Sequence, residues 1–122
     1  QKVDLQTSMI LMYETGAQAQ LSCTMAARTK IGGVISGDKG RIEIDGSFYA
    51  PTSYRLISRD GDLIEFPNTY IGGGLREEAR EFERVVRNGE IESPIMSHQT
   101  TLELMRQMDL IRDQIGVRYP NE

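Results

Sequence analysis

Three consecutive glycines, Gly72-Gly73-Gly74, stand directly ahead of a helical pattern. In such a place exposed backbone N–H groups and the helix dipole can hold an anion. A phosphate loop would also need a Lys-Ser/Thr pair after the glycines or the G-x-G-x-x-G spacing, and the sequence has neither. A hinge or helix-entry loop is the simpler expectation, with a ligand-facing loop as the alternative. His98 is the single histidine, in a polar Ser-His-Gln-Thr stretch without a Ser or Cys partner for nucleophilic catalysis, and reads as an exposed side chain. Cys23 is the single cysteine: it cannot close an internal disulfide, and its place on the apolar side of an alternating strand favours buried packing over reactivity. No His/Cys set has metal-ligand spacing, so no metal site is expected.

Other chemistry-bearing residues have plainer explanations. Arg76 to Arg84 carries carboxylates and guanidiniums at helical spacings, so Glu77 with Arg80 or Arg84 suits a solvated, ion-paired helix face. Six methionines include Met105 and Met108, whose helical spacing suits a core stripe. The formal net charge of −4 leaves no basic field for nucleic acid or an anionic membrane. No apolar run approaches the roughly 20 residues of a membrane-crossing helix. A reducing cytoplasm is the compartment that fits best.

The elements that would position these residues come in two blocks. Residues 3–13 are β-rich and meet a short Glu14-Thr15-Gly16 turn. Ala17, Ala19, Leu21, Cys23, Met25 and Ala27 then alternate with Gln18, Gln20, Ser22, Thr24, Ala26 and Arg28, a half-apolar return strand. Strand patterns continue over 31–36, 41–45, 47–50, 53–59 and 63–66, with turns at Gly37-Asp38-Lys39-Gly40 and Asp60-Gly61-Asp62. Past Pro67 the period changes. Leu75, Ala79, Phe82, Val85 and Val86 share a helical stripe that Asn88-Gly89 can end. A second helix is expected to begin near Ser97 or Thr100, where Thr100 to Glu103 has capping-box spacing, to line up Leu104, Met105, Met108, Ile111 and Ile115, and to close at Gly116 and Pro120.

The expected fold is therefore α+β: one open, mostly antiparallel sheet of about six or seven strands, with helices packed on one face and the other face open. At 122 residues the chain suits one domain, taken as 1–122, because a chain of roughly 100–150 residues buries one core. One polar row is unusual. Gln6, Ser8, Gln18, Gln20, Ser22 and Thr24 carry no charge, whereas a freely solvated sheet would usually show Lys and Glu. A homodimer through this face is the expectation, with plain solvent exposure as the alternative.

An ordered series of segments resembles a known family. Leu5 to Tyr13 with Gly16 and Ala17, Gly37 to Ile42, Gly72 to Ala79, Glu92-Ser93-Pro94, Met108 to Arg112 and Gly116 to Pro120 together resemble the C-terminal domain of the glucose-fructose oxidoreductase, inositol dehydrogenase and rhizopine-catabolism dehydrogenase family, most closely its dihydrodiol dehydrogenase-like branch. The resemblance implies an NAD- or NADP-dependent dehydrogenase of a sugar, polyol or related carbinol or carbonyl compound. It also implies that an N-terminal Rossmann half binds the cofactor, while this half shapes the small-molecule pocket and dimerises. Neither a strand followed by G-x-G-x-x-G nor the family's Glu-Lys-Pro motif is present. Cofactor-binding and catalytic residues are accordingly expected upstream of Gln1, and these 122 residues alone are expected to bind no cofactor and to be inactive. The stretch implied to face substrate is Tyr70 with Gly72, Gly73, Gly74 and Arg76, where Tyr70 would donate a hydrogen bond and Arg76 would hold an anionic group. A freestanding, non-catalytic dimerising or ligand-binding module is the competing reading.

Overall fold

A computed structural model describes residues 3–119. Its order is β1 (Gln6–Met12), β2 (Gln18–Thr24), β3 (Gly33–Gly37), β4 (Gly40–Ile44), β5 (Tyr54–Ser58), β6 (Leu63–Phe66), α1 (Leu75–Arg87) and α2 (His98–Ile115). The α+β class holds, with six strands among the described residues. They form two sheets, β1-β2 and β3-β4-β5-β6, where one open sheet was expected. Strand alternation does not report this division, because it says which face a residue takes and nothing about which neighbour its backbone bonds. The chain divides into two compact units, Gln1–Thr29 with Pro94–Glu122, and Lys30–Ser93.

In the first unit Gly16 takes φ 85°, a backbone conformation most side chains resist, and its N–H donates to Tyr13 O at 2.9 Å. The resulting hairpin pairs Gln6 with Thr24, Ser8 with Ser22, Ile10 with Gln20 and Met12 with Gln18. The opposite face carries Thr7, Met9, Leu11, Ala19, Leu21 and Cys23. Thr7 is buried, and its hydroxyl donates to Asp4 Oδ2 at 2.7 Å. Cys23 departs from expectation and is exposed, although Thr7, its cross-strand neighbour on the same face, is buried. In α2, Ser97 is the N-cap, its Oγ accepting from Thr100 N–H at 3.1 Å. Thr100 therefore lies inside the first turn, and the expected Thr100–Glu103 box caps nothing. Gly116 ends α2 at φ 71°, and Pro120 lies outside the described residues.

The second unit is an antiparallel meander. Its register puts Ile35, Ile42, Leu56 and Ile64 in one cross-strand row and Ile44, Tyr54 and Phe66 in the next, on the same face. Tyr54 and Phe66 stack with ring centroids 4.6 Å apart. The other face carries a charge ladder. Arg55 donates to Glu43 and to Asp45, each at 3.1 Å, and Arg41 donates to Glu43 at 2.7 Å, which holds the Glu43 carboxyl below its ordinary range. Residues 47–50, expected as a strand, instead form a turn with Ser47 at φ 62° and Ala50 N–H bonded to Ser47 O. α1 has the expected stripe, of which Val85 is buried while Leu75, Phe82 and Val86 stay exposed. It ends as expected at Asn88-Gly89: Glu90 N–H reaches Val85 O and Gly89 N–H reaches Val86 O, a left-handed glycine cap. Among the described residues no helix is long and apolar enough to cross a membrane.

Candidate functional site

The stretch between β6 and α1 is shaped by three glycine and proline positions and one asparagine. Gly72 and Gly74 take φ 83° and 90°. Gly74 caps α1 through its backbone alone, its carbonyl accepting from Glu77 and Glu78 N–H. A Cβ at Gly74 would stand 3.1 Å from the Pro51 ring, whereas Gly72 and Gly73 face open space. The glycines thus serve first as a bend that brings the chain past Pro51 into the helix, the hinge reading of the sequence.

Asn68 ties this bend to the loop before β5. Its N–H donates to Ser53 Oγ, its Nδ2 donates to Pro51 O, and its Oδ1 accepts from Tyr70 N–H, each at 3.0 Å. The last contact is an Asx turn, in which the side chain imitates a backbone turn. Sequence reasoning passed over Asn68; the Pro67-Asn68 pair was the available local signal, but the partners 15 and 17 residues away were not legible. Tyr70 is 55% exposed.

Arg76 is less free than expected. Its Nε and Nη2 both donate to Glu77 Oε1, at 3.0 and 2.7 Å, and this pairing holds the Glu77 carboxyl below its ordinary range. The sequence had suggested Glu77 with Arg80 or Arg84; Glu77 instead takes its immediate neighbour, and Arg84 bonds Glu81 and Glu90. Tyr70, Gly72, Gly73, Gly74 and Arg76 therefore lie on one continuous segment running into α1. The six proposed interface residues Gln6, Ser8, Gln18, Gln20, Ser22 and Thr24 are brought onto one face of the hairpin, with Thr24 Oγ1 donating to Gln6 Oε1 at 3.2 Å. Ile10 and Met12, which the sequence reading omitted, share that face and are 63% and 75% exposed. His98 opens α2 as its first residue. Among the described residues no group of three His, Cys, Asp or Glu side chains is placed to hold a metal ion.

No protein-family model matches the chain. Individual relatives do. The chain is 33% identical over 124 residues to trans-1,2-dihydrobenzene-1,2-diol dehydrogenase of Xenopus tropicalis, covering 97% of this chain and 37% of that protein. It is similar to dehydrogenases along almost its whole length. The enzyme of the same name from Danio rerio is 31% identical over 128 residues, covering 98% of this chain and 37% of its own length. D-Xylose 1-dehydrogenase (NADP(+)) of Hypocrea jecorina is 29% identical over 94 residues, covering 70% of this chain and 24% of its own length. The chain thus spans about 37% of the length of the dihydrodiol dehydrogenases that it matches.

Proposed function

We propose that this chain is the substrate-side portion of an NAD(P)-dependent oxidoreductase of the glucose-fructose oxidoreductase, inositol dehydrogenase and rhizopine-catabolism dehydrogenase family, acting on a sugar, polyol or cyclic diol. The observation that carries the reading is the pattern of coverage: nearly all of this chain, but little more than a third of each dihydrodiol dehydrogenase, is matched. A shared portion of a larger enzyme leaves that pattern.

The residues present do not fit a dinucleotide. A Rossmann glycine loop joins a strand directly to its helix, whereas Pro67 to Gly74 intervene here between β6 and α1, and Gly74 is crowded by Pro51. The cofactor site belongs in this reading to another part of the enzyme. The role left to this chain is to bind and orient a carbinol: Tyr70 as hydrogen-bond donor, the open backbone at Gly72 and Gly73 as the wall, and Arg76, in exchange with Glu77, for any anionic group. The natural polypeptide that carries residues 1–122 is expected to reduce NAD or NADP with at least one member of a panel of aldoses, alditols and cyclic trans-diols. Turnover of none, together with failure to bind either nucleotide, would defeat the reading.

The same reading includes a homodimer through the uncharged hairpin face. Exposed Ile10 and Met12 among Gln and Ser side chains support this reading, because mixed apolar and uncharged polar surface suits an interface. A two-fold interface carries every substitution twice, so Gln20→Arg would add two positive charges to the face that the proposed dimer buries. Light scattering at micromolar concentration is expected to give the dimer mass for the natural protein and the monomer mass for Gln20→Arg. A monomer mass for the natural protein at every concentration would exclude the dimer.

A further inference from the structure

The segment that carries Tyr70 has little apolar anchorage. Tyr70 is 55% exposed and Ile71 75% exposed, so burial does not fix its course. Polar bonds do. From Asn68 the chain is held at Ser53 Oγ and Pro51 O on one side and at Tyr70 N–H on the other. Pro51 is used twice, its carbonyl receiving the Asn68 amide and its ring facing Gly74. The two ends of the segment, Asn68 and Gly74, are thereby registered against one proline.

We infer that Asn68 is a positioning residue: it sets the course of the Asn68–Gly74 loop and through it the placement of the Tyr70 hydroxyl toward substrate. The inference rests on the reading of Tyr70 as substrate-facing. Asn68 touches no substrate in this account. Its side chain has two separable jobs, since Oδ1 closes the Asx turn onto Tyr70 and Nδ2 straps the loop to Pro51. Asn68→Asp keeps the acceptor but replaces the strap with an oxygen that repels Pro51 O, whereas Asn68→Ala loses both bonds without that repulsion.

The test uses the natural polypeptide that carries this chain. In Asn68→Ala, amide exchange across residues 69–74 is expected to accelerate roughly tenfold, as befits two lost hydrogen bonds. Exchange in the β4 and β5 strands should not change. With the best substrate of the carbinol panel, KM should rise about tenfold at nearly constant kcat, the signature of weakened substrate binding without altered chemistry. Asn68→Asp, which keeps the Tyr70 turn but not the Pro51 strap, should recover only part of that KM. Unchanged exchange over 69–74 in Asn68→Ala overturns the inference. Faster exchange with unchanged KM also overturns it, because the loop then does not meet the substrate, while the dehydrogenase reading stands. If the natural protein oxidises nothing on the panel, the functional reading fails instead, and the exchange measurement still decides whether Asn68 holds the loop.

Discussion

Gly40→Ala is expected to destabilise the four-stranded sheet by roughly 3 kcal/mol or more, the range in which backbone strain and steric overlap act together. Gly40 closes the two-residue Asp38-Lys39 turn at φ 153°, and it is paired with Ser58 on β5. A Cβ there would lie 2.3 Å from Ile57 O and 3.0 Å from Ser58 Cα. Both are backbone atoms at the end of the inner strand β5, so neither can swing aside as a flexible side chain would. Relief requires β4 to move away from β5, which would break the register that seats Glu43 against Arg55 and Ile42 against Leu56. A loss of roughly 8 °C or more in midpoint is expected by calorimetry, with faster amide exchange over β4 and β5. Gly61→Ala is the control: φ is also positive, at 95°, but nothing lies within 4 Å of the added Cβ, so only the conformational cost remains. Equal losses in the two variants would show that the close approach of Gly40 to Ile57 plays no part.

That pair of glycines also shows where sequence reading works. Gly16 in the first hairpin turn, and Gly89 and Gly116 after the two helices, all take positive φ, as their position after a periodic run had suggested. Period and punctuation are local, and local signals placed both helices and six strands. Cys23 was misjudged because alternation assigns it to a face without saying whether anything covers it there. The Ser47–Ala50 turn has strand-like residues and is decided by the Ser47 backbone. Two sheets instead of one, and the strap at Asn68, depend on partners distant in sequence, which no window of neighbouring residues contains. For the candidate site, the resemblance marked Tyr70 to Arg76 as a segment, but only the structure supplied the Arg76–Glu77 pairing and the anchor behind it.

Arg84→Met is expected to loosen the end of α1 in a pH-dependent way. The Arg84 guanidinium grips two carboxylates at once: Nε and Nη2 donate to Glu81, each at 2.8 Å, while Nη1 and Nη2 donate to Glu90 at 2.6 and 3.0 Å. Glu81 also accepts from Ser93 Oγ at 2.6 Å, so the arginine ties the helix, its glycine cap and the following loop together. The Arg84 bonds, followed by that of Ser93, hold the Glu81 carboxyl down to about 2 from an ordinary 4.5, and Glu90 is lowered by the same arginine. A carboxyl with a depressed folded-state pKa contributes stability that is fully present above its unfolded value and disappears as pH falls through the folded value. The gap in thermal midpoint between the natural protein and Arg84→Met should therefore be widest above about pH 4.5 and close toward pH 2. Because the groups are solvent-accessible, 1 M salt should shrink it too. Arg84→Lys retains the charge but not the planar fork, and should recover only part of the gap. Amide exchange at Gly89 and Glu90, whose N–H groups close the cap onto Val86 and Val85, reads the same event locally. A gap that stays constant from pH 7 to pH 2 would assign the loss to packing of the arginine stem instead of to its carboxylate partners.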